Sequence, residues 1–306
     1  MAARPVWKFQ RACCANVLRA GSSIVTHSRR TRVGPVIARA LLLLALAALG
    51  CAGGSATGPG EGARGFRVSG DPESPGGATW TFRDTVDGVA YDLSGVLLKP
   101  PGAGPFPAVL LSHGSEGSAA FFASLVGPAM VRWGLVCIAV NYTYAAGVPL
   151  GAPGGAAEPG ASEANVLRAH MTHELLRRLG YVDMSRVAAH GHSMGAYVDA
   201  ALLSAYPDDF VAASQTGGGV RPDFIVAGPA PSTAQVRAIR TPIQLHHGDA
   251  DAVVPLSYDQ PFDSLLTVLH VAHELYVYAD ADHLAVRTSA EMLDRVHAWY
   301  AAHGMF

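Results

Sequence analysis

Short apolar runs alternate with helix-length amphipathic stretches along most of this chain. Two strand-like segments, Thr79–Val86 and Tyr91–Leu98, flank Asp87-Gly88, a dipeptide typical of a tight hairpin turn. Beyond them strand and helix alternate, which predicts an α/β fold with a mostly parallel sheet and helices on both faces. The predicted strands are Ala108–Ser112, Leu135–Asn141, Arg186–His190, Phe210–Ser214, Ile243–His247 and His273–Tyr278, and the predicted helices are Phe121–Arg132, Ser162–Leu179, Ala196–Ser204, Thr233–Arg237, Tyr258–Leu269 and Ser289–Ala302.

The composition indicates a globular protein with a substantial core. Half of the 306 residues are hydrophobic, which is enough for one core and one or two domains. The first 60 residues hold eight Lys or Arg and no Asp or Glu, which leaves 14 basic against 24 acidic residues in the rest of the chain. An acidic body argues against nucleic acid as a partner.

The basic N-terminal segment has the parts of an export signal. It leads into the apolar run Ala40–Gly50, which is too short to span a bilayer but long enough for a signal. Cys51 follows small residues, as at a bacterial lipoprotein cleavage site. We therefore predict an export signal over 1–51, membrane anchoring through lipidated Cys51, a flexible linker over 52–78 and the α/β domain over 79–306. The expected location is periplasmic or cell-surface, or cytoplasmic if the signal is not used.

Residues 191–195 read Gly-His-Ser-Met-Gly between a predicted strand and a predicted helix. This is the Gly-x-Ser-x-Gly pattern of a nucleophile elbow in the strand–turn–helix context that it requires. The glycines leave room for a sharp turn, which exposes the central hydroxyl at the edge of the sheet. Ser193 is therefore the candidate nucleophile.

A serine hydroxyl needs a base, and the base needs an orienting carboxylate. Two predicted strands downstream of Ser193 are followed by suitable residues, Asp251 after the first and His283 after the second. The order serine, acid, histidine is the one found in enzymes that carry this elbow. Three further carboxylates compete with Asp251 for the role of the acid: Asp249, which lies earlier in the same turn, and Asp280 and Asp282, which lie close to His283 in the sequence.

With these residues the stretch from about residue 91 to the end resembles the α/β-hydrolase superfamily, nearest its dienelactone hydrolase and prolyl-oligopeptidase-like esterase branches. The resemblance is carried by Leu93–Pro100 with Pro105–Gly114, by the elbow, by His247-Gly-Asp-Ala-Asp-Ala-Val-Val-Pro255 and by Ala281-Asp-His283. It implies an α/β-hydrolase fold, a triad acid at Asp251, and ester cleavage through an acyl-enzyme, with a small-molecule or polymeric ester as substrate. Dienelactone hydrolases proper use a cysteine nucleophile, so Ser193 leaves the substrate open.

The resemblance also implies an oxyanion hole made of two backbone N–H groups. One belongs to Met194, directly after the nucleophile. By analogy with the His-Gly-x loop of these enzymes the other belongs to Ser115, with Gly114 as the alternative. Another interpretation is that His113-Gly114 only ends the preceding strand.

A loop rich in Gly, Ala and Pro covers residues 145–160 and follows a strand at the predicted active-site edge. It is placed to shape a substrate pocket, and Tyr142 and Tyr144 directly before it are candidate substrate-binding residues. An ordinary surface loop explains the same composition equally well.

Only Cys137 lies in the body of the chain, inside an apolar run, so it is expected to be a core residue. His246, His247, Asp249, Asp251 and His283 lack compact metal-ligand spacing, and we predict neither a metal nor another cofactor. Histidines on predicted helices, such as His170 and His173, are expected to be surface or packing residues. Two other functions stay open: a peptidase or amidase of the prolyl-oligopeptidase type, and a lipid-anchored binding protein on an inactive hydrolase fold.

Overall fold

A computed structural model describes residues 65–115, 117–146, 160–222 and 224–306. The predicted export signal, the lipid attachment at Cys51 and most of the loop 145–160 lie outside the described residues. Within the described ranges the strands are β1 (Arg67–Ser69), β2 (Ala78–Val86), β3 (Val89–Leu98), β4 (Phe106–Ser112), β5 (Val136–Val140), β6 (Val182–His192), β7 (Ala212–Thr216), β8 (Ile243–Gly248) and β9 (His273–Tyr278). The α-helices are α1 (Ala119–Arg132), α2 (Glu163–Leu176), α3 (Met194–Ala205), α4 (Asp259–Val268) and α5 (Ala290–Ala302).

The nine strands form one sheet in the order β1-β2-β3-β5-β4-β6-β7-β8-β9. From β5 to β9 every neighbouring pair is parallel, and the first three strands are antiparallel. The α/β fold with a mostly parallel sheet is therefore confirmed. Since β6, β7, β8 and β9 are parallel neighbours, the residues that follow them meet at one edge of the sheet.

The predicted hairpin is also confirmed. β2 and β3 pair along their whole length, and the two turn residues Asp87 and Gly88 both have positive φ, of 51° and 81°. This backbone is the tight turn that matches strand twist, and Gly adopts it without a steric penalty. β1 extends the sheet by pairing with β2, although its residues fall within the predicted linker 52–78. The ordered domain therefore begins before residue 79.

Alternate side chains of the sheet serve two separate cores. Leu110 and Ile138 pack on the face covered by α2, α3 and α4. Val109 and Leu111 pack on the opposite face, against α1 and α5. Strands buried on both faces read as continuous apolar runs, as the sequence of β4 and β5 does.

Some helix boundaries differ from the sequence prediction. α2 ends at Leu176, and the segment predicted as a helix near Thr233 is a single 3₁₀ turn, Thr233–Val236. No helix within the described ranges is long and apolar enough to cross a bilayer.

Candidate active site

The elbow sits where the central strand β6 passes into α3. Ser193 has φ 57° and ψ −121°, a strained left-handed backbone for a residue that is not glycine. A Cβ added to Gly191 would lie 2.5 Å from a carboxylate oxygen of Asp199, and one added to Gly195 would lie 2.0 Å from the Ser112 carbonyl oxygen. Both flanking positions therefore exclude a side chain, and the turn is held by close packing of strand and helix.

The Ser193 hydroxyl is left free by the helix that it precedes. Ser118, Ser162 and Ser289 cap α1, α2 and α5 by accepting a backbone N–H through the side chain. Ser193 occupies the same position before α3 but makes no such side-chain bond. Its hydroxyl is thus available at a helix N-terminus, where the peptide dipoles favour negative charge.

Asp251 and His283 form a short hydrogen bond at the edge of the sheet. The Nδ1–H group of His283 donates to Asp251 Oδ2 at 2.6 Å, and the other carboxylate oxygen accepts from the backbone N–H groups of Val253 and Val254 at 2.9 and 2.8 Å. Asp251 is buried, so these donors replace the water that the carboxylate loses. A Cβ at Gly217 would lie 2.9 Å from His283 Nδ1. The backbone of Gly217, which has no side chain, therefore lies directly against the Asp251–His283 pair.

Ser193 and His283 line the same cavity, which has a volume of about 350 Å³. Among the described residues the Ser193 hydroxyl makes no direct hydrogen bond to the His283 ring. The ring of His192, directly before the nucleophile, packs against the base, with its centroid 4.7 Å from that of His283. His192 is fixed in turn by a hydrogen bond between its Nδ1 and the Thr216 hydroxyl. The arrangement brings together all three residues of the predicted triad.

Two of the three rival carboxylates are engaged elsewhere. Asp249 accepts a hydrogen bond from the backbone N–H of Asp280, and Asp282 accepts hydrogen bonds from the N–H groups of Leu284 and Ala285. All of these contacts are made by exposed residues. Of the candidate acids only Asp251 is bonded to the His283 ring.

The loop after β4 lies directly against the nucleophile. A Cβ added to Gly114 would lie 3.1 Å from Ser193 Cβ, and Ser115 lines the cavity beside Ser193. The buried ring of His113 holds this loop: its Nδ1–H donates to the Gly114 carbonyl oxygen and its Nε2 accepts the Tyr142 N–H. Burial lowers the pKa of His113 to about 4, which keeps the ring neutral for this bonding pattern.

Tyr142 and Tyr144 lie behind this loop and do not line the cavity. Tyr142 is fully buried, and its hydroxyl donates to Ser112 Oγ, which donates to Asp199. The Tyr144 hydroxyl donates to the His113 carbonyl oxygen at 3.0 Å. Instead of facing a substrate, as expected from the sequence, both tyrosines support the loop that carries Ser115.

A second buried histidine–carboxylate pair lies next to Asp251. His247 Nδ1 is 2.6 Å from Asp259, its Nε2 is 2.7 Å from the Val254 carbonyl oxygen, and the same Nε2 is 3.4 Å from Asp251 Oδ2. A carbonyl only accepts, so Nε2 carries a proton, and the ring faces acceptors on both sides. Burial alone would lower the pKa of His247, but the hydrogen bond and charge of Asp259 outweigh it and raise the pKa.

The cavity wall has both polar and apolar parts and carries one Arg side chain. Phe121, Phe122, Val253 and Leu284 contribute its apolar part, and Arg287 contributes the charge. The guanidinium of Arg287 lies over the Phe121 ring, and its buried Nε has no hydrogen-bond partner. Arg287 lies four residues after His283, and this proximity in the sequence was a signal for its place in the site.

We predict that Asp259→Asn lowers the free energy of unfolding by about 3 kcal/mol at pH 6, because it breaks a buried pair. The raised pKa of His247 means that its protonation stabilises the fold fully below the unfolded value of about 6.5. This contribution disappears as the pH rises through the folded pKa, so the effect of the substitution should be smaller at pH 9. Urea unfolding at both pH values measures it.

Asp208→Asn is the matched control, since the Asp208 side chain is 82% exposed and its substitution should cost less than about 1 kcal/mol. A destabilisation by Asp259→Asn that is identical at pH 6 and pH 9 would contradict a protonated His247.

Known proteins were compared with the chain at the level of family and of fold. Residues 93–303 match the model of the dienelactone hydrolase family. A search of curated proteins found no match.

Several solved structures share the fold. A thermophilic esterase from Thermogutta terrifontis, solved with bound propionate, is 17% identical with a TM-score of 0.55 over 73% of this chain and 93% of its own. An S-formylglutathione hydrolase from Agrobacterium tumefaciens is 18% identical with a TM-score of 0.54 over 78% of this chain and 99% of its own.

A dipeptidyl peptidase 4 from Porphyromonas gingivalis is 14% identical with a TM-score of 0.61 over 74% of this chain. The match spans only 36% of the length of that peptidase. At such identities these likenesses show the fold, whereas the family match covers more than two thirds of the chain. The chain belongs to the dienelactone hydrolase family of α/β-hydrolases and is a hydrolase.

Proposed function

We propose that this protein is a serine hydrolase that cleaves carboxylic esters through Ser193, His283 and Asp251. The observation that carries the proposal is the 2.6 Å hydrogen bond between His283 and Asp251, beside a cavity that also exposes Ser193. The strained elbow and the uncapped hydroxyl add to it, because neither is needed to begin a helix.

In the proposed reaction Ser193 Oγ attacks the ester carbonyl carbon while His283 Nε2 takes its proton. Asp251 holds the other nitrogen as a donor and stabilises the imidazolium. The tetrahedral oxyanion accepts hydrogen bonds from the backbone N–H groups of Met194 and Ser115. Collapse of the tetrahedral intermediate breaks the ester C–O bond, and the alcohol leaves with the proton from His283. Water then loses a proton to His283 and attacks the carbonyl carbon of the acyl-enzyme. When this second tetrahedral intermediate collapses, His283 returns the proton to Ser193 Oγ and the carboxylic acid departs.

The positions of the groups support this assignment of roles. Two backbone N–H donors fix one oxygen of the buried Asp251 side chain, and the other oxygen is aimed at His283. The oxyanion donors come from a helix N-terminus and from a loop fixed by His113, Tyr142 and Tyr144. A preformed donor pair of this kind lowers the barrier because it needs no rearrangement when charge develops.

We expect Ser193→Ala to lower kcat for p-nitrophenyl acetate by about 10⁴- to 10⁶-fold with the fold intact. Ser115→Ala is the matched control: it removes a hydroxyl from the same cavity but keeps the backbone N–H, so kcat should stay within about threefold. Steady-state kinetics with circular dichroism of each variant measures both. Unchanged turnover by Ser193→Ala would remove Ser193 from the mechanism, and a large loss in Ser115→Ala would mean that its side chain acts.

Arg287 is proposed to select esters that carry a negative charge near the scissile bond. The structure places no acidic partner against its guanidinium among the described residues, and Arg287 is the one Lys or Arg residue that lines the cavity there. A charge-assisted bond contributes about 1.5–3 kcal/mol, so a substrate carboxylate should be recognised strongly.

Arg287→Met should therefore raise KM at least about tenfold for an ester with a free carboxylate. KM for the uncharged methyl ester of the same acid should change little, which controls for loss of cavity shape. Initial-rate kinetics on the two esters measures both KM values, and an equal change in both would contradict charge selection. Comparison with an aminoacyl anilide in the same assay separates esterase from peptidase activity.

A further inference from the structure

A cluster of two histidines and one aspartate lies away from the active site. His170 and His173 are three residues apart in α2, so both face the same way. Asp209, in the turn before β7, approaches both rings: its Oδ2 is 3.4 Å from His170 Nδ1 and 3.6 Å from His173 Nδ1. One potential ligand atom from each residue lies within 4.8 Å of the others.

These separations fit a bound transition-metal ion. Zinc binds histidine nitrogen at about 2.0–2.1 Å, and two ligands on adjacent corners of a tetrahedron then lie about 3.4 Å apart. The distances from Asp209 to the two rings are close to this value. One potential ligand atom of each residue thus lies near a common point.

Two of the facing atoms lack the hydrogen bonds that buried polar atoms normally make. His170 Nδ1 and Asp209 Oδ2 are both buried, and neither has a hydrogen-bond partner. Buried polar atoms are nearly always bonded, and exceptions in folded proteins point to a missing water or ion. The two atoms face each other at 3.4 Å, a long ion-pair distance, and a shared metal ion would replace this weak contact.

The rings are also held in place by packing. His170 stacks flat on Tyr206, with centroids 3.6 Å apart and an interplanar angle of 3°. His173 packs against Phe210, with centroids 4.9 Å apart. The Nδ1 atom of His173 also lies 3.2 Å from Glu174 Oε1, a contact that metal binding would replace. Ligands fixed before binding lose little freedom when the ion arrives.

We propose that His170, His173 and Asp209 form a site for one divalent transition-metal ion of the zinc type. Two imidazole nitrogens and a carboxylate oxygen suit this class better than magnesium or calcium, which prefer oxygen ligands alone. His170 and Asp209 are each about a quarter exposed, at 24% and 25%, so solvent water reaches the fourth position. Asp209 precedes β7, whereas Ser193 follows β6, so the metal site and the nucleophile lie at opposite ends of the parallel strands. The metal would therefore have a structural role and would link α2 to the turn before β7.

The test uses the full chain without a histidine tag, treated with chelator and then desalted. Calorimetric titration with ZnCl₂ at pH 7.5 should show saturable binding of one Zn²⁺ per chain. His170→Gln and Asp209→Asn should each weaken this binding at least about tenfold. His303→Gln is the matched control, because His303 lies outside the cluster at the end of α5 and its loss should leave the affinity unchanged.

Co²⁺ supplies a second readout, since a site of this ligand set gives visible absorption bands that should be absent in His173→Gln. Because His170 and Asp209 are partly exposed, their variants should unfold in chelator at the wild-type temperature, which separates lost binding from lost folding. Binding only at millimolar Zn²⁺, or equal affinity in wild type and His170→Gln, would overturn the proposal. Ester turnover plays no part in this test.

Discussion

The sharp backbone turn at Ser193 sets the geometry of the whole candidate site. A non-glycine residue with positive φ persists only when its surroundings fix it. Here the fixing comes from both sides: Gly191 and Gly195 let β6 and α3 approach to distances that no side chain permits, and the Ser193 N–H is held by the Thr216 carbonyl oxygen of β7. The central position of β6 in a nine-stranded sheet makes this turn rigid.

Polar networks behind the elbow give the site a second source of rigidity. On one side Ser112 links Tyr142 to the buried carboxyl of Asp199. On the other, Gln215 donates to Asp259, which pairs with His247 next to Asp251. Buried groups of this kind are costly when unpaired, so any displacement of one partner destabilises the others. The loops around the candidate site are thus held in place by buried hydrogen bonds.

The sequence predicted the parts of the site that depend on strand order. Ser193, Asp251 and His283 each follow a strand, and parallel strands bring such positions to one edge, so their proximity follows from topology alone. Contacts that depend on side-chain direction were not predictable. Tyr142 and Tyr144 follow β5 as a substrate-lining pair would, but both turn inward under the loop that carries Ser115.

The same limit applies to pairs far apart in sequence. Asp209 meets His170 and His173 only because the end of α3 returns beside α2, and no local spacing encodes this. Strand β1 was missed because its Gly- and Pro-rich surroundings resemble a linker, and its three residues gain stability only by pairing with β2. Export and anchoring at Cys51 concern residues outside the described ones and stay predictions.

Covalent capture of the nucleophile tests the central claim most directly. A fluorophosphonate reacts only with a hydroxyl activated by a neighbouring base, so tryptic mapping by mass spectrometry after treatment identifies the activated residue. We expect one adduct per chain, on Ser193, and its near-complete loss in His283→Ala. An adduct on another residue, or none in a preparation that hydrolyses esters, would contradict it.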